Sequence, residues 1–221
     1  MRYAMAEPFQ QLPRTLFFGL GLLFCFLVLA YLLSIAEYKQ QHILPVIGPV
    51  ADFTLTNQDG QATTLATLSN RVWVADIIFT RCAGPCPVIT ARMKSLQDAL
   101  PKNSGARLIT LTTDPEFDTP IAMKRYGERF GADFNRWLFL TGTKPEIGAL
   151  GHGSLKLSAV PVSRADQTND ADLFIHSTIF VLVDKHARLR VSFETVGEGV
   201  DWTNTVQPHI VAAVRQLERE P

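Results

Sequence analysis

The feature that most constrains how this chain folds is an apolar run over residues 71–79 that leads directly into two cysteines. A nearly continuous run of this length is typical of a strand buried on both faces of a sheet. After Cys82 and Cys86, apolar residues recur at steps of four, three and four, which indicates an amphipathic helix. These residues are Ile89, Met93, Leu96 and Leu100. The pattern predicts a strand-to-helix turn with Cys82 in its loop and Cys86 in the first helical turn.

Two thiols in such a turn have more than one chemistry open to them. The positive end of the helix dipole favours thiolate over thiol, so we expect an exposed turn with ionisable sulfurs. A thiolate pair can bind a soft metal or cycle through a disulfide. A purely structural disulfide is disfavoured, because it would close too short a loop to add much stability. The spacing of three residues between the cysteines slightly favours metal binding. The sequence pattern alone nevertheless leaves metal binding and disulfide exchange nearly even.

A second constraint lies near the N-terminus, where residues 15–36 carry no charged side chain. At the helical rise, a segment of this length reaches about 33 Å and can cross a hydrocarbon core of about 30 Å. Arg2 and Arg14 precede the segment, and Lys39 is the first basic residue after it. The positive-inside rule then predicts one transmembrane helix with its N-terminus inside and an exported C-terminal domain. A cleaved signal peptide is the alternative, because residues 34–36 resemble a cleavage site.

The chain therefore divides into a cytoplasmic N-terminus (1–14), a membrane anchor (15–36), a linker (37–50) and one domain (51–221). With a formal net charge of zero and 19% charged residues, it fits neither a nucleic-acid binder nor a disordered chain. The expected location is an inner membrane, with the domain in the periplasm or an equivalent space. That space is oxidising, so a cysteine pair there becomes a disulfide unless it is kept reduced or metal-bound.

Beyond the cysteines, strand and helix patterns alternate along the chain. Short apolar runs at 108–111 and 137–140 predict two further strands. Thr119, and Thr143 with Glu146 three residues later, are typical of helix N-caps.

Two hairpins and a closing helix complete the pattern. The first hairpin spans 53–65 with Asp59-Gly60 at its turn, the second spans 178–193, and the helix covers about 204–219. Strands alternating with helices indicate an α/β fold. We predict a thioredoxin-like three-layer sandwich with an N-terminal β-hairpin extension, preceded by one transmembrane helix.

Four motifs in register carry a resemblance to a known family. They are Phe79-Thr80-Arg81-Cys82-Ala83-Gly84-Pro85-Cys86-Pro87; Thr113-Asp114-Pro115 followed by Asp118-Thr119-Pro120; Trp137-Leu138-Phe139-Leu140-Thr141-Gly142; and His176-Ser177 with Leu182-Val183-Asp184. Through them the chain resembles the Sco/SenC copper proteins, which are membrane-anchored thioredoxin-fold domains. Members of that family help to assemble the dinuclear copper centre of cytochrome c oxidase.

The resemblance implies one copper ion per chain, as Cu(I) or Cu(II), held by Cys82, Cys86 and His176. The implied function is a metallochaperone that delivers copper to that oxidase site or prepares its cysteines. Its partner would be the copper-site subunit or another copper chaperone, with no nucleic acid and no small-molecule substrate. The alternatives are a thiol-disulfide oxidoreductase with a catalytic Cys82/Cys86 pair, and a copper or redox sensor.

The sequence departs from the family pattern beside the ligand histidine. Many members have an acidic residue there, whereas this chain has Ile175, which leaves Asp172 or Asp76 to orient the imidazole. Asp76 interrupts an apolar strand, so it is either a hydrogen-bonded structural residue or a proton acceptor for a cysteine. The loop over residues 155–172 has no counterpart that we can match. The other histidines are expected to be solvated: His42, His152, His186 and His209.

Asp114 and Asp118 have a simpler interpretation than metal ligation. Each lies beside a proline, in a segment that leads into a predicted helix. Asp, Thr and Pro are the residues that such a turn and helix start require. Cys25 falls within the predicted anchor, and we expect no chemistry from it.

Overall fold

The computed structural model describes residues 14–41, 44–157, 160–161, 174–175 and 178–221. The chain forms two compact units, Met1–Ile43 and Leu44–Pro221. The first contains helix α1, Arg14–Gln41. Within the described ranges, no helix combines the length and hydropathy that a membrane span needs. The anchor over residues 15–36 therefore stays a prediction.

The second unit is built on an eight-stranded mixed sheet, with a separate two-stranded ribbon. The described strands are β1 Gly48–Pro49, β2 Thr54–Asn57, β3 Ala62–Thr64, β4 Trp73–Ile78, β5 Arg107–Thr112, β6 Trp137–Thr141, β7 Val160–Pro161, β8 Phe174–Ile175, β9 Ile179–Val183 and β10 Arg188–Glu194. The large sheet has the order β1-β10-β9-β4-β5-β6-β2-β3, and β7 pairs with β8. Strands β4, β5 and β6 are parallel, as strand-helix-strand connections require.

Helices cover both faces of the sheet. They are α2 Cys86–Ala99, α3 Pro120–Arg129, α4 Lys144–Gly148 and α5 Gln207–Arg219. Helices α2, α3 and α5 enclose one apolar core against the sheet, and α4 packs on a second core across it. The predicted α/β sandwich is thereby confirmed, including the strand-to-helix step after β4.

Local sequence signals explain where several elements begin. At the β2–β3 turn, Gly60 has φ of 77°, a backbone conformation that suits glycine. Thr119 caps α3 by accepting a hydrogen bond from the Ala122 N–H at 3.3 Å. Thr143 and Glu146 form the capping box predicted for α4. Strand β2 also pairs with β6, so the predicted hairpin extends one edge of the sheet.

A buried arginine joins the start and the end of the second unit. The side chain of Arg190 is 2% exposed, and its Nη1 contacts Asp184 at 2.8 Å and Glu220 at 2.7 Å. Its Nε donates to the carbonyl oxygens of Leu44 and Pro45, each at 3.1 Å. Burial alone would lower the pKa of Arg190, but the hydrogen bonds that it donates to the Glu220 and Asp184 carboxylates outweigh burial and raise the pKa.

Replacing this arginine should make the domain easier to unfold. We expect Arg190→Met to lower the free energy of unfolding by about 3 kcal/mol, because it leaves Glu220 and two carbonyls without their donor. Arg188→Met is the matched control: Arg188 contacts the same Asp184 at 2.8 Å but is 39% exposed, so about 1 kcal/mol or less is expected. Urea unfolding measures both values. Equal losses in the two variants would contradict a buried ionic clamp.

Candidate metal centre

The two cysteines lie where the parallel strand β4 gives way to helix α2. Pro85 precedes the helix with φ of −73°, which suits a helix start, and Cys86 is its first residue. Cys82 lies in the preceding loop, where its backbone N–H donates to the carbonyl of Phe79 at 3.2 Å. Both cysteines therefore occupy the positions predicted from the sequence.

The turn carries exposed residues, as predicted, but the two cysteines are buried, which corrects the expectation of accessible sulfurs. Cys82 is 6% exposed and Cys86 is 1% exposed, and both side chains belong to the core beneath α2. The loop residues Ala83 and Gly84 are the exposed part of the turn. The two cysteines are thus withdrawn from solvent, because they belong to the same apolar core as residues such as Ile89.

The electrostatic prediction for the thiols also needs correction. Cys82 and Cys86 are present as thiols, and a hydrogen bond between them raises the pKa of Cys86 well above its ordinary value. Burial raises the pKa further, and the nearby Asp76 carboxyl adds to it. The helix start favours a thiolate, but the hydrogen bond with Cys82 and burial together outweigh it at Cys86. As a thiol, Cys86 is a weak nucleophile for disulfide exchange.

Asp76 is the most unusual polar group near the pair. It is fully buried in the middle of β4, on the side of the sheet that faces α2. Among the described residues, neither carboxyl oxygen meets strict hydrogen-bond geometry with a partner. Burial raises the pKa of Asp76 to about 7, and the neighbouring Thr110 hydroxyl on β5 offsets only part of this. That hydroxyl accepts from Trp137 Nε1 at 2.9 Å, which leaves its proton for the Asp76 carboxyl, so the structural and proton-acceptor interpretations both stay predictions.

A chain of hydroxyl groups borders the same buried region. Thr90 donates from Oγ1 to the carbonyl of Cys86 at 2.9 Å, and its hydroxyl also lies 2.9 Å from the Tyr126 hydroxyl. Burial raises the pKa of Tyr126 above its ordinary value, and hydrogen bonding to Thr90 offsets only part of this. The phenol thus stays neutral and links α2 to α3 behind the cysteine turn.

The loop over residues 113–119 supports the turn from its other side. Arg81, the residue before Cys82, donates from Nη2 to Asp114 Oδ2 at 2.6 Å. Its guanidinium also lies 4.3 Å from the centre of the Phe117 ring. Our sequence interpretation gave Asp114 a turn role but did not pair it with Arg81. The signal was available, because parallel neighbouring strands bring their carboxyl ends to one edge of the sheet.

The third predicted ligand is not among the residues that the structure describes. His176 and Asp172 lie outside the described residues, as does His42. The remaining histidines, His152, His186 and His209, are exposed, as expected. Within the described part of the chain, no three His, Cys, Asp or Glu side chains come close enough together to hold a metal.

Sequence comparisons connect these features to known proteins. A family model described as SCO1/SenC matches residues 48–208. The SCO1 protein homolog of Bacillus subtilis (strain 168) is 34% identical over 178 residues, which is 80% of this chain and 86% of that protein. A putative copper-binding protein of Stutzerimonas stutzeri is 28% identical over 150 residues, or 67% of this chain and 70% of its own.

A solved structure shows the same architecture. It is BsSco, a member of the Sco family of cytochrome c oxidase assembly proteins in which a disulfide switch was identified. It superposes with a TM-score of 0.66 at 31% identity and covers 80% of this chain and 97% of its own. The likeness confirms the predicted thioredoxin-like α/β fold.

Proposed function

The chain belongs to the SCO1/SenC family, and from that membership we propose that it binds copper and acts in the assembly of cytochrome c oxidase. The copper is cargo: one ion per chain, held by Cys82, Cys86 and His176. Its destination is the dinuclear copper site of the oxidase, reached through the copper-site subunit or another chaperone. The Cys82/Cys86 pair also permits a variant of this role, in which the protein prepares the cysteines of the oxidase copper site.

The observation that carries the proposal is the contact between the two thiols. Cys82 and Cys86 are hydrogen-bonded to each other within an apolar core, so two soft donors already lie side by side. Thiolates of this kind select Cu(I), and an added imidazole suits Cu(II) as well.

The strand register supports the choice of His176 as the third ligand. Strand β9 runs antiparallel to β4, with Val183 opposite Trp73 and Val181 opposite Ala75. The start of β9 at Ile179 therefore lies toward the end of β4 that leads into the cysteines. Because His176 precedes Ile179 by three residues, a ligand at this position can reach the turn after a short connection.

The location follows from the N-terminal sequence. We propose that residues 15–36 anchor the protein in an inner membrane with its N-terminus inside. The domain would then lie in the periplasm or an equivalent exported space. In that oxidising space, copper loading requires that the cysteines be reduced first.

A second candidate function is thiol-disulfide exchange by the same cysteines. The disulfide switch identified in BsSco favours it, since that protein shares the fold and 31% identity. The raised pKa of Cys86 does not count against exchange, because a hydrogen-bonded thiol pair attacks through whichever sulfur ionises first. Copper binding, in which the metal displaces both thiol protons, uses the same pair.

Copper stoichiometry measured beside disulfide reduction separates the two functions. The reduced parent chain is expected to bind one equivalent of Cu(I) or Cu(II), and His176→Ala should lose the Cu(II) complex. His152→Ala is the matched control, because it removes an exposed histidine and should bind copper like the parent. Turnover of a disulfide substrate is measured on the same samples. Efficient turnover that is indifferent to His176, without stoichiometric copper binding, would favour exchange instead.

A further inference from the structure

A single buried carboxylate joins the cysteine turn to the neighbouring loop. Asp118 is fully buried, and its Oδ2 accepts a hydrogen bond from the Thr80 N–H at 3.1 Å. Its two oxygens also accept hydrogen bonds from the hydroxyls of Thr80 and Thr112. We call Thr80, Thr112 and Asp118 the turn clamp. Three donors from two neighbouring strand ends thus converge on one side chain.

The turn clamp is itself held on a rigid element. The backbone N–H of Asp118 donates to the carbonyl of Asp114 at 2.8 Å. The next residue, Thr119, caps α3, so Asp118 stands directly at the start of a helix. A carboxylate fixed from both sides in this way can hold its partners to a defined position.

The segment that the clamp holds leads directly to Cys82. Thr80 lies two residues before this cysteine, and the Thr113 N–H fixes the preceding carbonyl of Ile78 at 2.9 Å. The Cys82 N–H then closes its own turn onto Phe79. The backbone from Ile78 to Cys82 is therefore tied at successive residues, and Thr80 is the residue that the side chain of Asp118 holds.

We propose that Asp118 is a positioning residue for the cysteine pair, acting through Thr80 to set how closely Cys82 approaches Cys86. Where it concerns copper, this inference rests on the proposed function, because it takes Cys82 as a ligand. The approach of the two sulfurs also governs disulfide formation, which gives a second readout that needs no metal. Outer groups that orient metal ligands typically contribute about 10- to 100-fold in affinity.

The test uses the full chain with variants on each side of the clamp. Thr80→Val removes the hydroxyl without changing the shape of the side chain, and Asp118→Asn removes one of the strong acceptor oxygens. We expect each to weaken copper affinity by about ten-fold or more and to change the thiolate-to-Cu(II) absorption band. Thr80→Ser restores the hydroxyl and is expected to restore both properties.

The second readout is the equilibrium with oxidised dithiothreitol. In that reaction the Cys82 and Cys86 thiols form one disulfide, and oxidised dithiothreitol is reduced to its dithiol. Loosening the clamp lowers the effective concentration of one thiol at the other, so the equilibrium should shift toward the protein dithiol by about ten-fold.

A remote aspartate separates positioning from general stability. Asp201 is the N-cap of the helical segment Trp202–Val206 and accepts a backbone hydrogen bond from Asn204 at 3.0 Å, so Asp201→Ala removes one such acceptor. It should lower thermal stability without moving either readout. Unchanged copper spectra and disulfide equilibrium in Thr80→Val and Asp118→Asn would overturn the inference, as would equal shifts in Asp201→Ala. If the parent binds no copper, the proposed function fails, and the disulfide equilibrium alone decides the positioning role.

Discussion

Replacing Cys82 or Cys86 by serine is expected to abolish stoichiometric copper binding. A hydroxyl replaces the thiol with little change in size, so each variant keeps the packing of the core but offers a harder, protonated oxygen to a soft ion. Losing an outer group costs about 10- to 100-fold in affinity, so losing a direct ligand should exceed about 100-fold. Competition against a Cu(I) chelator measures the affinity of Cys82→Ser, Cys86→Ser and the parent.

The third cysteine provides the control for this experiment. Cys25 belongs to the first compact unit, and Cys25→Ser should bind one equivalent with the affinity of the parent. The two site variants should also behave alike, because copper needs both sulfurs at once. Thiol-disulfide exchange predicts an asymmetry instead, since removing the second cysteine traps a mixed disulfide on the first. A trapped adduct with oxidised glutathione on one variant only, and copper affinity retained in both, would contradict the copper assignment.

The secondary structure was predictable because its signals are local. The apolar run before Cys82 became β4, and the capping residues Thr119 and Thr143 stand where α3 and α4 begin. Gly60 supplied the backbone conformation that its hairpin needed. Each of these features depends on residues only a few positions apart, so a single sequence contains the information.

The burial of the cysteines was not predictable in the same way. The pattern located Cys86 at the helix start, but it did not show that Ala83 and Gly84 would be exposed while both cysteines joined the core. Exposure depends on the three-dimensional path of the loop. The helix dipole was the electrostatic term visible in the sequence, whereas the larger effect on the pKa of Cys86 comes from its contact with Cys82 and from burial.

The turn clamp shows the same limit over a longer distance. Asp118 and Thr80 are 38 positions apart, and the sequence interpretation assigned Asp118 only to turn chemistry. Their meeting depends on β4 and β5 being parallel neighbours whose ends share one edge. A prediction of the sheet order would have brought them together, but it would not have shown that Asp118 is buried and accepts three hydrogen bonds.

Asp76 should make the stability of the reduced, metal-free protein fall as the pH rises. Its pKa is raised from 3.8 to about 7 by burial, so the folded state retains a proton that the unfolded state has lost between these values. The contribution of Asp76 to stability is therefore most favourable below about pH 4, decreases toward pH 7, and stays reduced above it. The carboxylate then remains in the core at a cost of about 4 kcal/mol, because each pKa unit corresponds to about 1.4 kcal/mol.

The variant Asp76→Asn isolates this contribution, since the amide has nearly the same shape and does not titrate. From about pH 5 to about pH 8, its free energy of unfolding should rise relative to that of the parent by roughly 2.5 kcal/mol. The other ionisable groups around Asp76 are Cys82, Cys86 and Tyr126. The raised pKa values of Cys86 and Tyr126 keep them neutral over this range, and all three groups are present in both proteins. Urea unfolding at several pH values gives the difference, and parallel stability curves for the two proteins would show that Asp76 is ionised at no such cost.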